Sequence, residues 1–152
     1  MVNVEIISAG KEEFMNSNLV VYRITNLYDK KIFLVTDNWF TWSCNGKFIE
    51  MNLGRTPMVK NVNVFGYFLP QLQLIKSKES IVKEINLQWP VKLNTIFNEQ
   101  SYASPEKGVY RLKVIIGYGF TDAIGAQESL SVEDDVMKWQ QLTTSNEYLI
   151  EI

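Results

Sequence analysis

Histidine is missing from all 152 residues. With it go the commonest general base, the commonest metal ligand and the side chain that most readily titrates near neutral pH. Ser-His-Asp and Cys-His catalysis are therefore excluded within the chain, as are His-based zinc sites. An enzyme made from this sequence would have to rely on carboxylates, lysine, tyrosine or one thiol. Cysteine occurs once, at Cys44, so no intrachain disulfide forms and the fold must hold without covalent staples. No apolar run approaches the roughly 20 residues needed to cross a bilayer. The residues after Met1 lack the basic and then apolar pattern of a signal peptide, so a cytoplasmic location is expected. Positive charge is not in excess either. Fifteen Lys and Arg stand against 17 Asp and Glu, a net charge of −2, which offers no field to attract nucleic acid or an anionic membrane.

What the chain does contain is pattern. Its length suits one domain, 1–152, with room for a sizeable core. Hydrophobic residues at 46% and charged residues at 21% place it with globular chains rather than disordered ones. Aromatics at 12% favour pleated sheets. From Gly108 to Gly119, Tyr110, Leu112, Val114, Ile116 and Tyr118 share one parity, while Arg111 and Lys113 take the other. That period of two predicts a strand with one buried face, which needs a second layer to cover it. Gly108 suits a tight turn, and Gly117 and Gly119 read as strand-end residues. Neither the Gly-Lys-Ser/Thr of a phosphate loop nor a dinucleotide fingerprint follows them, and no cofactor is expected.

The remaining strands are read in order. Val2, Val4 and Ile6 alternate with polar residues, and Gly10 to Asn18 reads as a polar turn. Leu19 to Thr25 is nearly continuously apolar, as a central strand should be, and Ile32 to Thr36 returns from it. Asn45-Gly46, between Trp39–Cys44 and Lys47–Met51, predicts a two-residue type I′ hairpin. Val62 to Leu69 is an aromatic strand stopped by Pro70, and Ile81 to Leu87 is a further strand. Pro90 to Phe97 fits a short helical connection, and Ser101 to Lys107 a loop. Ser131 can cap a helix over about 131–142, an insertion before the last strand at Tyr148 to Ile152. Glu133, Asp134 and Asp135 suit that helix's first turn. With Asp122 and Glu128 they form the densest acidic stretch. Three consecutive helical residues cannot all face one Ca²⁺, so no metal site is expected. The sum is a mostly β sandwich of about eight or nine strands with one short helix near the C-terminus.

Three stretches resemble immunoglobulin-like and fibronectin III-like sandwiches, including bacterial ones. Gly108-x-Tyr110-x-Leu112-x-Val114 is similar to their penultimate strand, Ser145-Asn146-Glu147-Tyr148 to the start of their last, and Tyr22-x-Ile24-Thr-Asn26 to their second. The resemblance implies a tyrosine-corner hydrogen bond at Tyr110 and an antiparallel immunoglobulin-like fold. Bacterial intracellular proteinase inhibitors of the BsuPI type have this general layout and are an analogue, although no inhibitory loop carries over residue by residue.

Trp39, Phe40, Trp42, Phe65, Tyr67 and Phe68 are the candidate binding residues. Aromatics of both parities sit side by side there, so one inward face cannot hide them all. Either both faces are covered or some rings form a recognition patch, with Asn38, Asn63 and Gln71 able to add polar contacts. Cys44 lies beside a hairpin, which offers a thiolate neither base nor helix N-terminus, and reads as a small buried hydrophobe. The expected function is a non-enzymatic protein-binding module of inhibitor or adaptor type, or a homodimer that buries the aromatics. The alternative is a carbohydrate-binding or hydrolytic domain, which would need two carboxylates facing each other across a cleft.

Overall fold

The computed structural model describes residues 1–12, 16–36, 41–56, 69–88, 91–92, 102–103, 106–124 and 132–152. Among them run β1 (Val2–Glu12), β2 (Ser17–Asn26), β3 (Ile32–Val35), β4 (Thr41–Asn45), β5 (Phe48–Asn52), β6 (Leu72–Ile75), β7 (Ser80–Gln88), β8 (Val91–Lys92), β9 (Tyr102–Ala103), β10 (Val109–Gly119), α1 (Val132–Trp139), β11 (Gln141–Thr144) and β12 (Tyr148–Glu151). The chain is mostly β, in two main sheets with one short helix near the C-terminus, consistent with the sandwich that the strand pattern predicts. One sheet has the order β1-β2-β7. The other runs β4-β5-β10-β3-β6, with β11 and β12 also on β10, and β8 pairs with β9 apart from both.

β10 organises the larger sheet because it is long enough to take two partners on each edge. β5 and β3 share one edge, along Arg111–Ile115 and Tyr118–Gly119. β12 and β11 share the other, along Val109–Leu112 and Ile115–Tyr118. The pairing with β5 is parallel, a departure from the otherwise antiparallel ladders. Tyr110, Leu112, Val114, Ile116 and Tyr118 are all buried, as their parity requires. They meet Val20, Tyr22 and Ile24 of β2, the central strand of the smaller sheet, and each apolar side chain so buried contributes roughly 1.5–3 kcal/mol. The Tyr110 hydroxyl donates to the Glu106 carbonyl at 2.6 Å, a hydrogen bond of the tyrosine-corner type.

The two sheets are stitched along one side by side chains that satisfy backbone groups. Thr143 Oγ1 donates to the Val2 carbonyl at 3.2 Å, and the Ile6 N–H donates to Asn146 Oδ1 at 2.8 Å. Asn18 Nδ2 donates to the carbonyls of Ala9 at 3.2 Å and Glu151 at 3.1 Å. One end is tied by Asn26, which is fully buried. Its Nδ2 donates to the carbonyls of Lys30 at 2.8 Å, Lys76 at 3.0 Å and Ile75 at 3.3 Å, and its Oδ1 accepts from the Tyr28 N–H at 3.0 Å. This one amide therefore joins the β2–β3 corner to the β6–β7 turn.

Several local expectations give way to the structure. Gly10 to Asn18 is not an open turn: the β1–β2 ladder continues to Glu12↔Ser17 after a bulge between Ile6 and Ser8. That bulge flips the parity, so Ala9 is buried while Ile7 is exposed. The hairpin pairs Asn45 with Phe48, which makes Gly46 and Lys47 the two turn residues. Gly46 has φ +60° and Lys47 is not in the positive region, the pattern of a II′ turn instead of I′. Where Pro90 to Phe97 reads as helical, Val91–Lys92 is extended and pairs with Tyr102–Ala103, inside the stretch read as a loop. The helix stops at Trp139 rather than 142, because Gln141 and Leu142 are taken by β11. Gly117 and Gly119 do lie at the end of β10, but it is packing that requires glycine there. A Cβ on Gly119 would collide with the Trp139 indole and one on Gly117 with the Gln140 amide, so both are glycine to let those side chains lie on the strand.

Candidate functional site

Of the candidate aromatics, Trp39, Phe40, Phe65, Tyr67 and Phe68 lie outside the described residues. Trp42 falls on β4, where its backbone pairs with Met51. Gln71 is described and exposed, its carbonyl accepting from the Thr36 N–H at 2.9 Å, while Asn38 and Asn63 lie outside.

A different apolar set is exposed, on the outer face of the larger sheet. The parity that buries Tyr110, Leu112 and Val114 turns Val109, Arg111 and Lys113 outward. Register then places Phe48 of β5 and Leu149 of β12 on either side of Arg111. Phe48 is 50% exposed, Val109 55% and Leu149 66%. The Arg111 guanidinium carbon lies 5.6 Å from the Phe48 ring centroid, within cation–π range. Arg111 also reaches Glu147 at 3.4 Å, as does Lys113, so the carboxylate holds both cations beside the apolar groups. At this exposure those ion pairs add little stability, and their consequence is position. A shallow depression of about 260 Å³ opens next to Phe48, lined by Asn45, Phe48, Ile49, Glu50 and Lys113.

Phe48, Val109 and Arg111 sit on strands bonded on both edges, and Leu149 on a strand laddered to β10, so a partner would meet them in one fixed arrangement. Of the residue types here, phenylalanine and arginine are the ones enriched in protein interfaces. Acid–base or nucleophilic chemistry is a poorer fit. Cys44 is exposed rather than buried, and its Sγ lies 3.8 Å from the Gly46 carbonyl. Among the described residues, no three Cys, Asp or Glu side chains converge on a point that could hold a metal ion. Glu133, Asp134 and Asp135 do lie in the first turn of α1, and Glu128 is outside the described residues.

A second aromatic group, Tyr28, Tyr118 and Phe120, packs edge to face at the Asn26 end, with centroids 5.0 Å apart for Tyr28–Phe120 and 5.9 Å for Tyr118–Phe120. Burial first, then the hydrogen bond to Tyr28, pushes the Tyr118 hydroxyl well above its ordinary range. The Lys30 ammonium already covers the Phe120 ring at 3.7 Å, so this cluster is closed by its own cation.

The sequence held one signal for Phe48 and Leu149. Each is an apolar residue on the parity that its strand otherwise gives to polar groups, beside Ile49 and Ile150 that fill the buried parity. Comparisons with protein-family models, with curated proteins and with solved structures return no match.

Proposed function

We propose that the protein is a non-enzymatic binding module that docks a partner protein on the outer face of its larger sheet. The observation that carries this reading is the row Phe48–Arg111–Leu149, two exposed apolar side chains flanking a guanidinium that Glu147 holds in place. A partner would cover Phe48, Val109 and Leu149 and desolvate Arg111, and in such patches a few buried anchors supply most of the affinity.

The test compares the partner captured by the wild type with that captured by Phe48→Ala and Leu149→Ala, using Val82→Ala as the control. Val82 is 59% exposed on the other sheet. All three substitutions trim exposed side chains, so thermal stability should be unchanged. Capture lost in the first two and kept in the third supports the reading. Capture that survives both substitutions, or no partner at all, refutes it.

A further inference from the structure

The side of the sandwich opposite the stitched seam holds an open cavity of about 350 Å³ between the sheets. Its walls are apolar, with Ile24 of β2, Leu34 of β3, Ile85 of β7 and Ile116 of β10 among them. Four polar residues interrupt them, Tyr22, Thr36, Lys83 and Glu84, of which Thr36 already donates its hydroxyl to the Gln71 carbonyl at 3.3 Å. Tyr22 is 5% exposed, and burial alone pushes its hydroxyl up to about 12, with no hydrogen bond reaching it among the described residues. Lys83 stands directly across the β2–β7 ladder from Tyr22. It occupies the inward parity of β7, between Ile81 and Ile85, and no carboxylate among the described residues pairs with it. An inward lysine on an edge strand discourages edge-to-edge pairing. That role alone leaves the unpartnered phenol and the space between the sheets unexplained.

We infer that this cavity binds a small amphipathic carboxylate, its alkyl chain between the sheets and its head group at Lys83 and Tyr22. The volume lies within the range of small-molecule sites, which are mostly apolar with a few placed polar groups. At neutral pH the phenol is protonated and can donate to a carboxylate oxygen, and the ammonium supplies the opposite charge. Glu84, also at the cavity's edge, is on the outward parity of β7, so its charge lies on the other side of the strand from the head group.

Decanoate is the probe, with decan-1-ol as its uncharged counterpart, and the readout is the methyl resonances of Ile24, Ile85 and Ile116. The expected result is saturable shifts at those methyls, with decanoate binding about tenfold tighter than decanol. Lys83→Met should remove that preference while leaving decanol binding in place, and Lys83→Arg should restore most of it. Equal binding of acid and alcohol to the wild type overturns the inference without recourse to any variant. So do shifts that fail to saturate or that fall outside the cavity.

Discussion

Replacing Asn26 should weaken the fold more than any other single polar substitution among the residues described. Its side chain makes two donated bonds, shared among three carbonyls at 2.8, 3.0 and 3.3 Å, and accepts one at 3.0 Å. Counting about 1 kcal/mol net for each bond gives a loss of about 3 kcal/mol for Asn26→Ala. The buried Ile75 carbonyl, left without this donor, adds to that figure, and water reaching the partly buried Lys30 and Lys76 carbonyls reduces it. In a chain of this length the melting temperature should fall by about 6–12 °C. Asn26→Asp separates hydrogen bonding from packing, because the shape is kept while the donor becomes an acceptor facing carbonyl oxygens. The introduced carboxyl is buried, so its folded pKa is raised above its unfolded value. Stability is therefore retained below the unfolded pKa and lost as pH rises through the folded one. Urea unfolding of both variants at acid and neutral pH measures this. The reasoning fails if Asn26→Ala costs under about 1 kcal/mol. It fails equally if Asn26→Asp is as stable at neutral pH as in acid.

Three further outcomes follow from the packing. Gly119→Ala should force the Trp139 indole off the strand, break the 2.8 Å bond from its Nε1 to the Thr121 carbonyl and cost about 2 kcal/mol; urea unfolding and the Trp139 indole N–H resonance report both effects. Tyr110→Phe removes only the bond to the Glu106 carbonyl and should cost about 1 kcal/mol by the same unfolding measurement. Tyr22, whose hydroxyl is raised from 10.0 to about 12, contributes stability that is fully present below its unfolded pKa and lost as pH rises through the folded one. Urea midpoints should accordingly fall from about pH 10 upward, and Tyr22→Phe should flatten that fall.

Parity was the part of this fold most legible in the sequence. It identified the buried face of β10, the central role of β2 and the inward side of β7, because burial on one side of a strand leaves a period of two that no tertiary contact can erase. The misreadings share a cause. Gly117 and Gly119 do end β10, but the sequence does not show why they are glycine, because the side chains lying on them, Gln140 and Trp139, come twenty or more positions later. The turn residues of the β4–β5 hairpin are set by which pairs of the ladder close, so Asn45-Gly46 marked a hairpin here while the turn itself fell one residue later, on Gly46-Lys47, and of the other type. The candidate site was less legible, because exposed Phe48 and Leu149 differ from core residues only by parity, and each has an isoleucine beside it that obscures the alternation.

The two proposed sites differ in the rigidity of what carries them. Phe48, Arg111 and Leu149 lie on three adjacent strands whose centre, β10, is hydrogen-bonded on both edges. The seam from Val2 to Asn146 further fixes that sheet against its neighbour. Opening this region locally would break ladder bonds and expose much of the core, so it belongs to the most stable part of the molecule. A partner therefore meets a preorganised face and pays little ordering entropy, which suits affinity built on a few anchors. The cavity lies on the opposite side, against β7, which has β2 on one edge and, among the described residues, no other strand of its sheet beyond. An edge strand can shift outward without disturbing the β1–β12 seam, so a ligand can be admitted there while the outer face of β10 keeps its geometry.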